Sequence, residues 1–219
     1  MLTRAPARIT NQPRRPRGRP KIEDLEALER RLVLVARQAF ALNGYGATSI
    51  NSIARSARVS KNTLYARFPS KAALFRAIVA GQIASVDEEL PPASEIDDVP
   101  LEQKLRAYFN VALKKSLSGD ILQINRLIVS ESYQFPELAE AAQGRFGVGV
   151  QHVAELIAQC AQRDRIPCRD PAAAAQLFLL VTYGWYTSIM TANRVVSDRE
   201  RVSWVNNAVR LLMSSRPSW

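Results

Sequence analysis

The stretch Ala47–Lys71, ATSINSIARSARVSKNTLYARFPSK, constrains the fold more than any other part of the chain. Helix-capping hydroxyls recur in it at Thr48 or Ser49, at Ser60 and at Ser70, and Pro69 stops any helix that reaches it. Between the caps, Ile50, Ile53, Ala54 and Ala57 share one helical face, and Leu64 and Phe68 share another. The spacing predicts a helix from Thr48 or Ser49, a turn at Arg58-Val59 with Val59 buried, and a second helix of about two turns from Ser60. Opposite Leu64 and Phe68 lie Asn62 and Ala66, flanked by Thr63 and Tyr65, with Lys61 at the N-terminal shoulder.

That polar face suits the edges of base pairs. Asn bonds bidentately to adenine, Lys to guanine, and a Thr methyl meets a thymine methyl, while Ala66 permits close approach. Tyr65, Lys71 and the capped helix starts at Thr48, Ser49 and Ser60 are placed to bond phosphates. A small three-helix core with a merely solvated face is the plainer alternative, and charge argues against it. Residues 1–80 hold 16 Lys/Arg and 4 Asp/Glu, a net +12, whereas residues 81–219 carry −2. The first third is therefore a polyanion-binding surface, for nucleic acid in preference to a membrane.

Residues 1–22 contain seven Lys/Arg, four prolines and no acid, a composition too poor in apolar surface to order itself when free. Within them Pro16-Arg17-Gly18-Arg19-Pro20 resembles the core of an AT-hook, in which Arg17 and Arg19 would enter an A·T-rich minor groove. A basic tail that touches only phosphates fits the same residues. After this arm, Leu28, Leu32, Val35, Ala36, Ala39 and Phe40 mark the buried face of a first helix over about residues 24–42, ended by Asn43-Gly44. A fourth helix, about 71–89, leads to a proline-bounded acidic loop between Leu90 and Pro100. Helices are then expected at about 101–117, 120–132, 136–162, 171–192 and 198–214, each bounded by Gly, Pro or a capping residue, with no β alternation of useful length. The fold class expected is all-α. An N-terminal three-helix DNA-binding domain with a helix-turn-helix (residues 23–86, helix-turn-helix 49–68) precedes a helical effector-binding and dimerisation domain (87–219).

Phe40…Gly44-Tyr45…Thr48-Ser49-Ile50…Ile53-Ala54…Val59-Ser60…Leu64-Tyr65…Phe68…Lys71…Leu74-Phe75 resembles the DNA-binding domain of TetR-family transcriptional regulators. Arg126–Ala139, with its Phe135-Pro136-Glu137-Leu138 turn, is similar to the AefR-like group of C-terminal domains in that family. The resemblance implies a homodimer whose paired helix-turn-helix units bind a palindromic operator, and a C-terminal domain that binds a small effector. Carried onto these residues, and with the arm included, the DNA-contact candidates are Arg17, Arg19, Thr48, Ser49, Ser60, Lys61, Asn62, Thr63, Tyr65 and Lys71, with Leu64 and Phe68 structural.

Two helices near the C-terminus are too apolar to stand alone, and their twins in a second copy would cover them. Phe178, Val181, Ile189, Val202, Val205, Val209 and Leu212 are the interface candidates. Tyr108, Phe109, Arg126, Ser130, Tyr133, Phe146, Trp185 and Tyr186 are the candidates for lining a cavity; with few charges among them, a mainly apolar or aromatic ligand is expected. Gly144, Gly147 and Gly149 lie in a helical pattern with no strand before them, so they suggest packing or a kink and not a phosphate loop. Cys160 and Cys168 are either ordinary thiols or a redox pair across a Pro turn. His152 is the sole histidine, and neither a nucleophile–base pair nor a metal-ligand spacing is legible, so neither enzyme nor cofactor is expected. The most apolar segment, Ala172–Met190, is too polar to span a membrane, and there is no secretory signal at the N-terminus; a cytoplasmic protein is expected. The expected function is a ligand-released transcriptional repressor. Its rival is an architectural protein of A·T-rich DNA whose C-terminal domain only dimerises.

Overall fold

A computed structural model of the protein describes residues 22–90, 98–216 and 219. The basic arm, with Arg17 and Arg19, and most of the acidic loop lie outside them. The described residues form α1 (Ile22–Asn43), α2 (Ile50–Ser56), α3 (Lys61–Tyr65), α4 (Lys71–Asp87), α5 (Leu101–Ser116), α6 (Gly119–Glu131), α7 (Pro136–Asp164), α8 (Pro171–Thr191) and α9 (Asp198–Met213). No strand occurs among them. Helix ends follow the local chemistry. Ser49, Ser60 and Ser70 accept from the backbone N–H groups of Ser52, Thr63 and Ala73 at 3.1, 3.0 and 3.0 Å. Gly44 leaves α1 at φ +79°, a conformation Gly adopts without penalty. Arg58 takes φ +54° in the turn between α2 and α3, where a side chain is disfavoured. The second helix of the motif is shorter than expected, five residues, with Ala66 already its C-cap.

The apolar faces meet in two cores. The first gathers Leu32, Ala36 and Phe40 of α1, Ile53 of α2, Leu64 of α3 and Leu74, Phe75 and Val79 of α4. It also takes in Ile124, Leu127 and Ile128 of α6 and Leu138 and Ala141 of α7. The second joins Leu101, Leu105 and Phe109 of α5 to Val153 and Ile157 of α7, Phe178 of α8 and Val205 and Val209 of α9. Helix α7 runs through both. Of its three glycines only Gly149 is packed, with Leu179 Cδ2 at 3.4 Å from where a Cβ would stand; around Gly144 and Gly147 there is open space. Cys160 is buried in the second core and Cys168 packs at its edge.

Four of the proposed interface residues belong to the protomer itself. Phe178, Ile189, Val205 and Val209 are buried, because α8 and α9 each turn one apolar stripe inward. The outward stripe carries Leu177, Leu180 and Val181 on α8 and Val202 and Leu211 on α9, with Leu212 half-buried. No helix among the described residues is long and apolar enough to cross a membrane.

Tyr45, 1% exposed, sits at the junction of α1, α4 and the α6–α7 corner. Its ring stacks on Phe40 (centroids 5.4 Å) and meets the edges or faces of Phe75 (5.3 Å) and Phe135 (5.1 Å). Its hydroxyl donates to Glu137 Oε1 at 2.8 Å. Burial first, and then that carboxylate, hold the phenol well above the ordinary tyrosine range. Tyr45→Phe, which removes only the hydroxyl bond, is expected to lower unfolding free energy by about 1–2 kcal/mol. Tyr45→Ala, which also opens a cavity, should cost about 3–5 kcal/mol. Urea denaturation of the two variants measures both.

Candidate DNA-reading face and effector cavity

Helix α3 is held from beneath. Leu64 is fully buried and Phe68 nearly so, which fixes the rotation of the helix and turns Lys61, Asn62, Tyr65 and Ala66 to solvent. Lys61 Nζ lies 5.5 Å from the centroid of the Tyr65 ring, so cation and phenol share one end of this face. Thr63 is half-buried, with its Oγ1 2.7 Å from Ser60 Oγ. Ser49 and Ser60 are exposed, but their side-chain oxygens already cap backbone N–H groups.

Thr48 and Lys71 do not join this face. Thr48 is 3% exposed, and its hydroxyl donates inward to Gly44 O at 2.7 Å. Lys71 folds back over the loop that precedes α2. Its ammonium donates to Tyr45 O at 2.9 Å and Thr48 O at 3.2 Å, and stands 4.3 Å from the Tyr45 ring centroid. Glu131 grips the same loop, accepting from the N–H of Tyr45 at 3.4 Å and of Gly46 at 3.2 Å. Phe135 lies 3.2 Å from the place a Cβ on Gly46 would occupy, and Glu131 Oε1 2.8 Å from one on Gly44, so a side chain at Gly46 would press on the corner ring and one at Gly44 would displace the Glu131 carboxylate from the loop.

Behind the head, a cavity of about 120 Å³ opens between α4, α5, α7 and α8. Tyr108, Phe109, Phe146 and Tyr186 line it. The other four expected residues are elsewhere. Tyr133 is 101% exposed in the turn after α6, and the exposed Ser130 hydroxyl donates to Leu127 O. Trp185 stacks on Trp204 of α9 (centroids 4.5 Å) at the edge of the second core, and Arg126 lies outside the cavity wall. The cavity is also more polar than expected, because Arg145 enters it from α7. One guanidinium nitrogen, Nη1, donates to Gln82 Oε1 on α4 and, at 2.8 Å, to Asn125 Oδ1 on α6. Burial pushes the Tyr186 phenol up to about 12, although the nearby Arg145 charge opposes the shift.

Arg145, Gln82 and Asn125 are not among the residues to which the sequence points, yet a signal is there. Arg145 stands in register with buried Leu138, Ala141, Gly149 and Val153 on α7, and Gln82 with Leu74, Ile78 and Val86 on α4. A polar residue on an otherwise apolar stripe must find partners inside the protein.

Residues 32–78 match the family of bacterial regulatory proteins described as tetR, and residues 103–215, more than half the chain, match the AefR-like transcriptional repressor C-terminal domain. The protein belongs to the TetR family. The chain is 28% identical over 158 residues to the HTH-type transcriptional regulator UidR of Escherichia coli K12, covering 70% of this chain and 77% of UidR. Among solved structures it is similar to the flavonoid-responsive regulator FrrA (27% identity, TM-score 0.65, 87% of this chain and 97% of that one). It is likewise similar to GusR of Salmonella enterica (25% identity, TM-score 0.63, 86% and 94%). As a TetR-family member it is a DNA-binding transcriptional regulator and not an enzyme; the α2–α3 pair lies within the matched DNA-binding domain, and most of the cavity wall within the matched C-terminal domain.

The Tyr186 environment contributes to the alkaline behaviour of the fold. Its folded phenol holds a proton up to about 12, whereas an unfolded tyrosine releases it at about 10. Between those values the native state binds more protons than the unfolded one, so stability present below pH about 10 falls as pH rises. Urea midpoints at pH 9 and pH 11 should show this fall, and Tyr186→Phe should make it shallower; the Tyr45 contribution remains.

Proposed function

We propose that this protein is a dimeric repressor that leaves a palindromic operator when a small, mainly apolar molecule enters the α4–α5–α7–α8 cavity. The observation that carries the reading is the route taken by α4. Its C-terminal half supplies Gln82, Ser85 and Val86 to the cavity wall, and its first residue, Lys71, holds the loop that seats α2. A ligand that favours a different position of α4 would change the spacing of the two reading helices, and affinity for DNA would fall by the ligand's preference between the two states. FrrA, a relative described as flavonoid-responsive, supports an effector of aromatic character.

In this reading Lys61 and Asn62 contact base edges, Tyr65 a phosphate, and Arg17 and Arg19 an adjacent minor groove. One five-residue helix reads too few bases alone, so the outward stripe of Leu177, Leu180, Val181, Val202 and Leu211 pairs with its copy. In this reading the protein acts in the cytoplasm.

Selection of bound genomic fragments and footprinting defines the operator; a footprint without two related half-sites overturns the proposal. On that operator, Asn62→Ala should weaken binding by about 1–3 kcal/mol and relax the preference at one base position. In the same titrations, a chain starting at Lys21 should show a shallower salt dependence than the full chain, because fewer phosphates are neutralised. Leu180→Glu, which puts a charge into the paired stripe, should sediment as a monomer and lose the two-half-site footprint. A dimeric Leu180→Glu protein would rule this surface out.

A further inference from the structure

Gln82 is 8% exposed, yet its Nε2 has no hydrogen-bond partner among the described residues. Its amide cannot be turned over to cure this. Arg145 only donates, so the amide oxygen must face the guanidinium and the NH2 group is left with nothing to bond. Arg145 has a matching deficit. A guanidinium keeps its charge at any physiological pH, but its neighbours Gln82, Asn125 and Tyr186 are neutral, and no carboxylate among the described residues pairs with it. The second cation on the wall, Lys115, is already paired with Glu89 at 3.1 Å. One unneutralised cation and one unfilled donor thus stand side by side in a cavity whose remaining wall is mostly rings and aliphatic groups, with the hydroxyl residues Ser85, Ser116 and Thr182 among them. The buried amide donor is costly to leave unbonded and the half-buried cation lacks a counter-charge; a single oxyanion satisfies both.

We propose that the effector is a small amphipathic acid, with a ring body and one carboxylate or ionised phenol whose oxygens accept from Arg145 of α7 and Gln82 of α4. This rests on the effector cavity proposed above and names the chemistry it selects. A body of one ring fits: the cavity, about 120 Å³, is close to the size of engineered apolar cavities of about 150 Å³ that hold benzene. Because the acid touches Gln82, it adds a link between α7 and α4, the helix that begins at Lys71. The charge of the ligand is thereby sensed on the element that carries the DNA-binding head, while its ring sets only how well the cavity is filled.

The test is isothermal titration of the full-length protein with benzoate, 4-ethylbenzoate and 2-naphthoate, each beside its carboxamide. At least one acid should bind about thirtyfold more tightly than its amide, the worth of a charge-assisted pair of hydrogen bonds. Arg145→Met should abolish that preference, Arg145→Lys should keep part of it, and Gln82→Leu should lose a smaller part. Circular dichroism checks folding of each variant; if Arg145→Met does not fold, the lysine and leucine variants carry the comparison. Acids and amides that bind equally, no binding of any acid, or a preference untouched in every folded variant overturns the proposal. Release of operator fragments by an amide alone sinks the acid assignment and leaves the effector cavity standing. An acid that binds through Arg145 without releasing DNA supports the oxyanion site and sinks the effector reading.

Discussion

The packing of Tyr45 is the constraint on which the rest depends. The residue lies in the short connection between α1 and α2, so whatever fixes it fixes where the reading helix pair begins. Its ring is held by Phe40 and Phe75 from within the head and by Phe135 from the α6–α7 corner, while its backbone is held on one side by Glu131 and on the other by Lys71. Carboxylate to N–H and ammonium to C=O are charge-assisted bonds with defined geometry. Together they leave the loop little freedom and tie the start of α2 to α4 through Lys71 and to α6 through Glu131.

This tie accounts for an unusual feature of Lys71. In the first turn of a helix beside a DNA-binding motif, lysine is a natural phosphate ligand. Here its charge is spent on two carbonyl oxygens and a tyrosine ring, and it holds the loop that leads into α2. Thr48 acts in the same way through its inward hydroxyl. The exposed part of the face thus narrows to Lys61, Asn62, Tyr65 and Ala66, with Thr63 partly withdrawn toward Ser60.

Helix ends were legible in the sequence because their causes are local: Ser49, Ser60, Ser70, Gly44, Pro136 and Pro171 each act within a few residues. The rotation of α3 was legible for the same reason, since Leu64 and Phe68 leave one side for solvent. What depended on distant contacts was not legible. Glu131 meets the head across 86 residues, and nothing near it in sequence says so. On α8 both stripes are apolar, so periodicity cannot tell the one buried in the protomer (Phe178, Ile189) from the one turned outward (Leu177, Leu180, Val181). Four of eight cavity residues, Tyr108, Phe109, Phe146 and Tyr186, were found because rings on inward arcs are common in walls. Arg145 is harder to read: its register on the apolar stripe of α7 is the one hint, and the two glycines beside it weaken that pattern.

The first core has a practical consequence for building hybrid regulators. It is tempting to cut such a chain after α4 and join its head to the tail of another family member. That junction would leave behind Ile124, Leu127, Ile128, Leu138 and Ala141, all part of the core around α1 and α4, together with the Glu131 and Phe135 contacts to the α1–α2 loop. A head transplanted this way would present bare apolar surface to a foreign corner. Under the proposed function, exchange of specificity is better made by substituting the few solvent-facing residues of α3, which leaves this shared core whole.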